Sequence, residues 1–418
     1  MSFLEEFDAI EASQPAQKMG LFFQYVRGNP DPMFAELRAH RPIFVTPAAT
    51  MVTRFTDVQE VLSRPKVFSV RLYAPKMDPS VGPFMLARDA TEINRRDKSI
   101  MMAMLRVGDL PQIRQMAEAL SEAALASAGG KIEMVSQLAR AVPVQITGKY
   151  FGFPGPDAAT MMRWSRATQY DMFHNTPQND PQVHAENIQA GSEMKTYLAQ
   201  LLIQRRAELL ANPNLDDTLS RLLKTTLPAV VGFDDERIIA NTIGLLVGGV
   251  ETTAAAAAQI VDQLLARPDH LAGARAAAAS GNDALLAQFM WEALRFHPIN
   301  PFVVRFCEQD YIVAEDTDRK MRIPAGTVVL ASTASAMMDD NEIDDPEQFQ
   351  LNRQDYIYMH FGYGHHTCLG DQVAMAEIPA MVKRLLLRDN LRRAAGADGQ
   401  IDAKGGPFPE KFVLEYDA

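Results

Sequence analysis

Only two cysteines, Cys307 and Cys368, occur in 418 residues, a poor basis for a disulfide framework in a chain of this size. Basic charge is also scarce. Lys plus Arg number 41 against 52 Asp plus Glu, for a formal charge of −11. With no basic block either, nucleic acid is not an expected partner. No run of 18 or more apolar residues occurs, so no membrane anchor is expected. The N-terminal MSFLEEFDAIEASQPAQKMG lacks a basic segment followed by an apolar one, so no secretory signal is expected either. Internal repeats and a Gly-rich dinucleotide fingerprint are missing too. These absences point to a globular, cytoplasmic protein, and 47% hydrophobic with 22% charged residues is the balance of such a chain.

What is present is mostly helical periodicity. Two short β-like runs, Pro42–Thr46 and Met51–Phe55, come first, then a short helix over Asp57–Leu62 and a loop-like stretch, Val70–Arg88, with three prolines. The 3.6-residue pattern predicts helices over Asn94–Leu105, Pro111–Ala126, Ile132–Phe151, Asp157–Phe173 and Gln182–Ala211. A polar connection, Asn175–Pro181, separates the last two. From Asp234 or Asp235 to about Arg267 one long helix is predicted, roughly 34 residues and about 50 Å. Pro301–Cys307 and Thr327–Ser332 read as strands, and helix resumes over Leu369–Arg388.

The most informative stretch is Phe361-Gly362-Tyr363-Gly364-His365-His366-Thr367-Cys368-Leu369-Gly370. A lone thiol that ligates iron must be a thiolate, so its site should favour negative charge. Cys368 lies just before an amphipathic helix, whose N-terminal amides and dipole supply that bias. Gly362, Gly364 and Gly370 permit turns and a close approach to a flat macrocycle. A buried structural cysteine in a turn is the plainer alternative for an isolated Cys. Six fixed positions at this spacing arise by chance on the order of once in a million such chains. The stretch resembles the heme-binding signature FGxGxHxCxG of bacterial cytochromes P450, with every fixed position matched. That resemblance implies Cys368 as the axial iron ligand, His366 on a heme propionate and Phe361 packed beneath the ring. The cofactor implied is heme b (iron protoporphyrin IX).

Two further motifs agree. Glu292-Ala293-Leu294-Arg295 puts a carboxylate and a guanidinium on one helical face, and resembles the family's ExxR pair, which locks onto a later arginine, here Arg353. Arg305 matches the family's propionate-binding arginine. Within the long helix, Gly248-Gly249-Val250-Glu251-Thr252-Thr253 resembles the family's oxygen-activation motif. Glycines and threonines are poor choices for a helix built only to pack. A Thr252 hydroxyl can orient a proton-bearing water, Glu251 can relay protons from solvent, and Gly248 leaves space. Thr252 can also bond the Gly248 carbonyl and bend the helix. One departure stands out. After Asp89 the family has a His and an Arg for the propionates; here Ile93 replaces the His, leaving Arg96 or Lys98 as substitutes.

The resemblance implies a mainly α fold with small β-sheets, the cytochrome P450 fold, as a single domain over 1–418. It places heme between a long central helix and the cysteine loop with its following helix. It also implies a monooxygenase that inserts one atom of O2 into a small to medium apolar substrate. With no nucleotide fingerprint in the chain, electrons from NAD(P)H are expected through a ferredoxin and a ferredoxin reductase. Arg95, Arg96, Lys98, Arg106 and Arg114 are the expected basic docking residues, and a monomer is expected. An H2O2-dependent peroxygenase and a non-catalytic heme-thiolate binder are the alternatives, and Glu251 with Thr252 counts against both. The resemblance lines the substrate pocket with Phe84, Met85, Phe173, Val247, Val303 and Phe408.

Overall fold

The computed structural model describes residues 2–175 and 179–417. The chain forms two compact units, one of Met1–Leu72, Arg88–Ala90 and Arg295–Cys368, the other of Tyr73–Ala87, Thr91–Leu294 and Leu369–Ala418. Of the expected connection Asn175–Pro181, residues 176–178 lie outside the described residues.

The first unit is built on a five-stranded sheet of β1 (Ile43–Val45), β2 (Thr50–Val52), β3 (Phe68–Ser69), β4 (Val303–Cys307) and β5 (Val328–Ala331), in the order β1-β2-β5-β4-β3. These are the four predicted strands plus a short edge. β2 and β5 run parallel, with Met51 opposite Leu330; the other neighbours are antiparallel. Both faces are covered, and the period-2 alternation sorts the side chains. Phe44, Met51 and Leu330 meet the N-terminal Phe3, Phe7 and Phe34. Ile43, Val52, Val329 and Cys307 face Val61, Leu62 and Met359. Arg305 stands two residues from both Val303 and Cys307 and so shares their face of β4, where it is buried.

The second unit is helical. Its principal helices are α1 (Ala74–Val81), α2 (Glu92–Met104), α3 (Leu110–Ala128), α4 (Ala158–Phe173), α5 (Pro181–Ala211), α6 (Asp235–Gly249), α7 (Glu251–Leu265), α8 (Asp283–Phe296, whose last two residues belong to the first unit) and α9 (Asp371–Leu386). Helix α1 corrects the loop expected over 70–88. Pro75 sits in its first turn, where a missing N–H costs nothing, and only Pro79 removes an internal bond. Met77, Ser80 and Val81 are buried. The Ser80 hydroxyl donates to the Asn187 carbonyl at 3.0 Å, and a Cβ on Gly191 would come within 2.6 Å of the Ser80 backbone. Tertiary packing therefore overrides the prolines.

The expected helix Ile132–Phe151 is three elements. Lys131–Glu133 is a strand with Ile132 paired to Leu414, Val135–Ala139 forms a π turn, and Ala141–Lys149 is α-helical. The partner strand lies at the far end of the chain, beyond any local pattern. The long predicted helix is broken at Val250 into α6 and α7. Among the described residues Asp235–Leu265 is the one helical stretch long and apolar enough to cross a bilayer, and 72% of its apolar window is buried in the protein, the condition of a core helix.

Candidate active site

The cysteine loop is closed on itself within the first unit. The Cys368 amide donates to the Phe361 carbonyl at 2.9 Å, Gly362 to Met359 at 3.1 Å and Thr367 to Gly364 at 3.1 Å. Gly362 and Gly364 have φ of 74° and 72°, a region open to glycine and strained for other residues. At Gly364 space is limiting as well, since a Cβ would lie 2.7 Å from the Leu62 carbonyl oxygen. The result is an exposed Cys368 thiol, while Cys307 is buried. Gly370 is the N-cap of α9, which begins two residues after the start expected at Leu369.

His366 lies on Asp89, Nε2 to Oδ1 at 2.9 Å. Asp89 also accepts from the Val70 amide at 3.0 Å. Burial holds the His366 pKa below its ordinary 6.5, with the Asp89 bond opposing and the Arg305 charge adding. Arg305 and His366 are thus near neighbours, two nitrogen donors of the kind that bind a carboxylate. Arg295 is fully buried. It donates to the Met337 carbonyl at 3.0 Å and to the Gln348 carbonyl at 3.2 Å. Arg353 reaches the same Gln348 oxygen at 2.8 Å and also binds the carbonyls of Asp344 and Asp345. The two arginines converge on one backbone segment, and the Phe296 and Phe349 rings stack beside it at 5.9 Å. Glu292, on α8, is fully buried. Val303 is half-buried in this unit.

In the second unit the motif of the long helix has a definite geometry. The Thr252 hydroxyl donates to the Gly248 carbonyl at 2.5 Å, and the backbone is irregular at Val250 between them. Helical bonding is re-established by Ala254, whose amide donates to the Val250 carbonyl at 2.9 Å. Gly248 is exposed in an otherwise buried run, and a Cβ there would meet nothing within 4 Å.

Glu251 points the other way and is buried. Arg140 binds its Oε1 through Nη2 at 2.7 Å and Nε at 3.1 Å. Arg166 binds Oε2 through Nε at 2.9 Å and also pairs with Glu410. Neither arginine was singled out in the sequence. Their partner is 111 and 85 residues away, and the only local sign is that the Arg140 amide closes the π turn on Val135 at 2.9 Å, a distortion common near functional sites.

Of the expected pocket residues, Phe84, Met85, Val247 and Phe408 are buried in the second unit. Phe408 meets the His174 ring edge-on at 4.8 Å and carries the Arg166 guanidinium on its face. Burial, with the Arg166 charge, pulls the His174 pKa down to about 4. Phe173 packs on Tyr73 with centroids 5.3 Å apart. Arg96, one of the two residues expected to substitute near Ile93, has protein partners. Its guanidinium is bound to Asp97 at 2.8 Å and the Val231 carbonyl at 3.1 Å, since Asp97 is buried and demands cationic partners. Two expected docking residues are paired too, Arg106 with Asp216 at 3.0 Å and Arg114 with Asp283 at 3.5 Å.

Residues 8–393 match the cytochrome P450 family, and the chain belongs to it; the enzyme is a cytochrome P450 monooxygenase. It is 28% identical over 390 residues to the cytochrome P450 monooxygenase PikC of Streptomyces venezuelae, covering 90% of this chain and 88% of that one. It is 30% identical over 396 residues to nocardicin C N-oxygenase of Nocardia uniformis subsp. tsuyamanensis, covering 90% and 92%. Among solved structures, CalO2 superposes with a TM-score of 0.81 at 22% identity, over 94% of this chain and 96% of that one.

Proposed function

We propose that the protein binds heme b through the Cys368 thiolate and uses Glu251 and Thr252 to deliver protons for oxygen insertion into an apolar small molecule. The exposed Cys368 and the neighbouring donor pair Arg305 and His366 support such a group. When bound, the heme supplies the binding and reductive activation of O2. The remaining roles fall to the polypeptide. Gly362, Gly364 and Phe361 shape the loop that presents Cys368, and Gly370 starts the helix whose amides favour the thiolate. Arg305 and His366 would bind propionate oxygens, with Arg96 or Lys98 as a further basic contact. Arg295 and Arg353, with Glu292, hold the segment preceding the loop.

The observation that carries the catalytic reading is the Thr252 hydroxyl on the Gly248 carbonyl. In that rotamer the Thr252 oxygen keeps lone pairs for a water lodged in the opening at Gly248 and orients its protons. Both carboxylate oxygens of Glu251 are held by guanidinium partners, and release from one of them would free an oxygen to relay protons from solvent. We read the two units as one catalytic domain, supported by a family match that spans both. Phe84, Met85, Phe173, Val247, Val303 and Phe408 give the substrate an apolar setting, and the expected setting of the enzyme is a cytoplasmic monomer. Electrons are supplied by a ferredoxin and its reductase. Product formation with NAD(P)H, a ferredoxin and a reductase, set against product formation with H2O2 alone, tests the reading. Turnover driven only by H2O2 would establish a peroxygenase, and failure of both systems over a broad panel of bound ligands would favour a non-catalytic binder.

A further inference from the structure

A pocket of about 350 Å³ lies within the first unit, bordered by residues 345–348. Another side of it is the helix Asp31–His40, which contributes Ala35, Arg38 and Ala39. These stand at i, i+3 and i+4 and so share one helical face. The two alanines leave room beside the long arginine side chain. None of the residues lining this pocket is among those proposed to hold heme or substrate.

Arg38 is only 9% exposed, yet it makes no ion pair among the described residues. Its Nη1 donates to Ser335 Oγ at 3.0 Å and to the Ser335 carbonyl at 3.3 Å. Its Nε and Nη2 have no hydrogen-bond partner among the described residues. Burial pulls the Arg38 pKa below its ordinary 12.5, with the Asp339 charge opposing and the Arg54 charge adding. Arginine stays protonated all the same, and a buried charge ordinarily has a partner. Arg54 lines the same pocket. Its Nη1 holds Asp339 at 2.5 Å and Asp340 at 3.0 Å. Asp339 is buried and already committed, since it also accepts from the Phe55 amide at 2.8 Å and the Asn341 amide at 3.1 Å. Two guanidinium groups therefore face one engaged carboxylate. The other acids of the pocket, Asp340, Asp345 and Glu347, are all exposed and form its mouth.

We infer that this pocket is a binding site for a small ammonium carboxylate, a molecule of amino-acid type. The carboxylate enters first and takes the open donors of Arg38, the fork geometry in which a guanidinium binds best, with Arg54 beside it. The ammonium group stays at the mouth, against Asp345 and Glu347. A dianion is disfavoured because its second charge would meet those same acids. The volume stands at the lower end for small-molecule sites, which suits a ligand of this size. The inference does not depend on the heme reading.

The test is calorimetric titration of the holoenzyme with four probes of matched chain: 6-aminohexanoate, hexanoate, adipate and hexylamine. Saturable binding of 6-aminohexanoate below millimolar concentration is expected. Hexanoate should bind at least threefold and adipate at least tenfold more weakly, and hexylamine should not saturate. Arg38→Met is expected to weaken 6-aminohexanoate at least tenfold. Glu347→Lys changes only an exposed residue at the mouth, and should lower the preference for 6-aminohexanoate over adipate at least fivefold. If Arg38→Met does not fold, the Glu347→Lys measurements decide alone. Equal affinities for the three carboxylates, or an unchanged preference in Glu347→Lys, would overturn the inference. So would the absence of saturable binding in the wild type. Binding that shifts the Soret band and survives Arg38→Met would belong to the heme site, and would overturn it as well.

Discussion

Glu251 has both carboxylate oxygens engaged by arginines, and Thr252 has its hydroxyl on a backbone carbonyl. The two residues are adjacent in sequence and opposite in setting. A buried carboxylate with two guanidinium partners and the nearby Glu410 is close to charge balance, and removal of one arginine leaves it under-compensated. Thr252 has no such constraint, so its replacement isolates the proton-delivery role. Thr252→Ala should fold normally and still consume NAD(P)H, but divert most of the electrons to H2O2; product per NAD(P)H should fall at least fivefold. Full coupling in that variant would remove Thr252 from the mechanism. The bond from Thr252 to Gly248 was legible in the sequence because its partner is four residues back. The partners of Glu251 were not legible, because their approach depends on how distant segments of the chain pack.

At the scale of elements, the cysteine loop is a short structure with unusually exact backbone demands. Gly364 combines a φ of 72° with a close approach to the Leu62 carbonyl. Gly364→Ala should therefore strain the loop by about 1–3 kcal/mol, lower the denaturation midpoint and reduce heme occupancy of the purified protein. Wild-type occupancy and midpoint in that variant would show that the loop tolerates a side chain there. The turns of the loop were readable because their hydrogen bonds close within ten residues, whereas the approach of Leu62 to Gly364 was not. The elements misread from sequence share the opposite property. Helix α1 survives Pro79 through packing on α5, and Ile132 is a strand because Leu414 pairs with it. In each case a distant partner decided the conformation over the local pattern.

For the whole molecule, the buried acid Glu377 on α9 sets a pH dependence of stability. It is fully enclosed, and desolvation pushes its pKa up to about 8 from 4.5. The folded state then keeps a proton that the unfolded state releases, so stability falls as pH rises from about 4.5 to about 8 and levels off above. At about 1.4 kcal/mol per unit, the loss approaches ~5 kcal/mol at pH 8. Glu377→Gln has no proton to lose there. Its denaturation midpoint relative to wild type should rise between pH 5 and pH 8, and a constant difference across that range would place the acid in a more polar setting. The acidic surplus of the chain, −11 in formal charge, coexists with the basic residues proposed for docking. Arg106 and Arg114, two of those residues, are paired with Asp216 and Asp283.

The central claim is that Cys368 is the thiolate ligand of a heme iron, and the reduced carbon-monoxide spectrum tests it most directly. The wild-type protein is expected to show the strongly red-shifted Soret band of a thiolate-ligated heme, and Cys368→His is expected to bind heme without it. A reduced carbon-monoxide complex of the wild type with an unshifted, imidazole-type band, or a red-shifted band that persists in Cys368→His, would contradict the account.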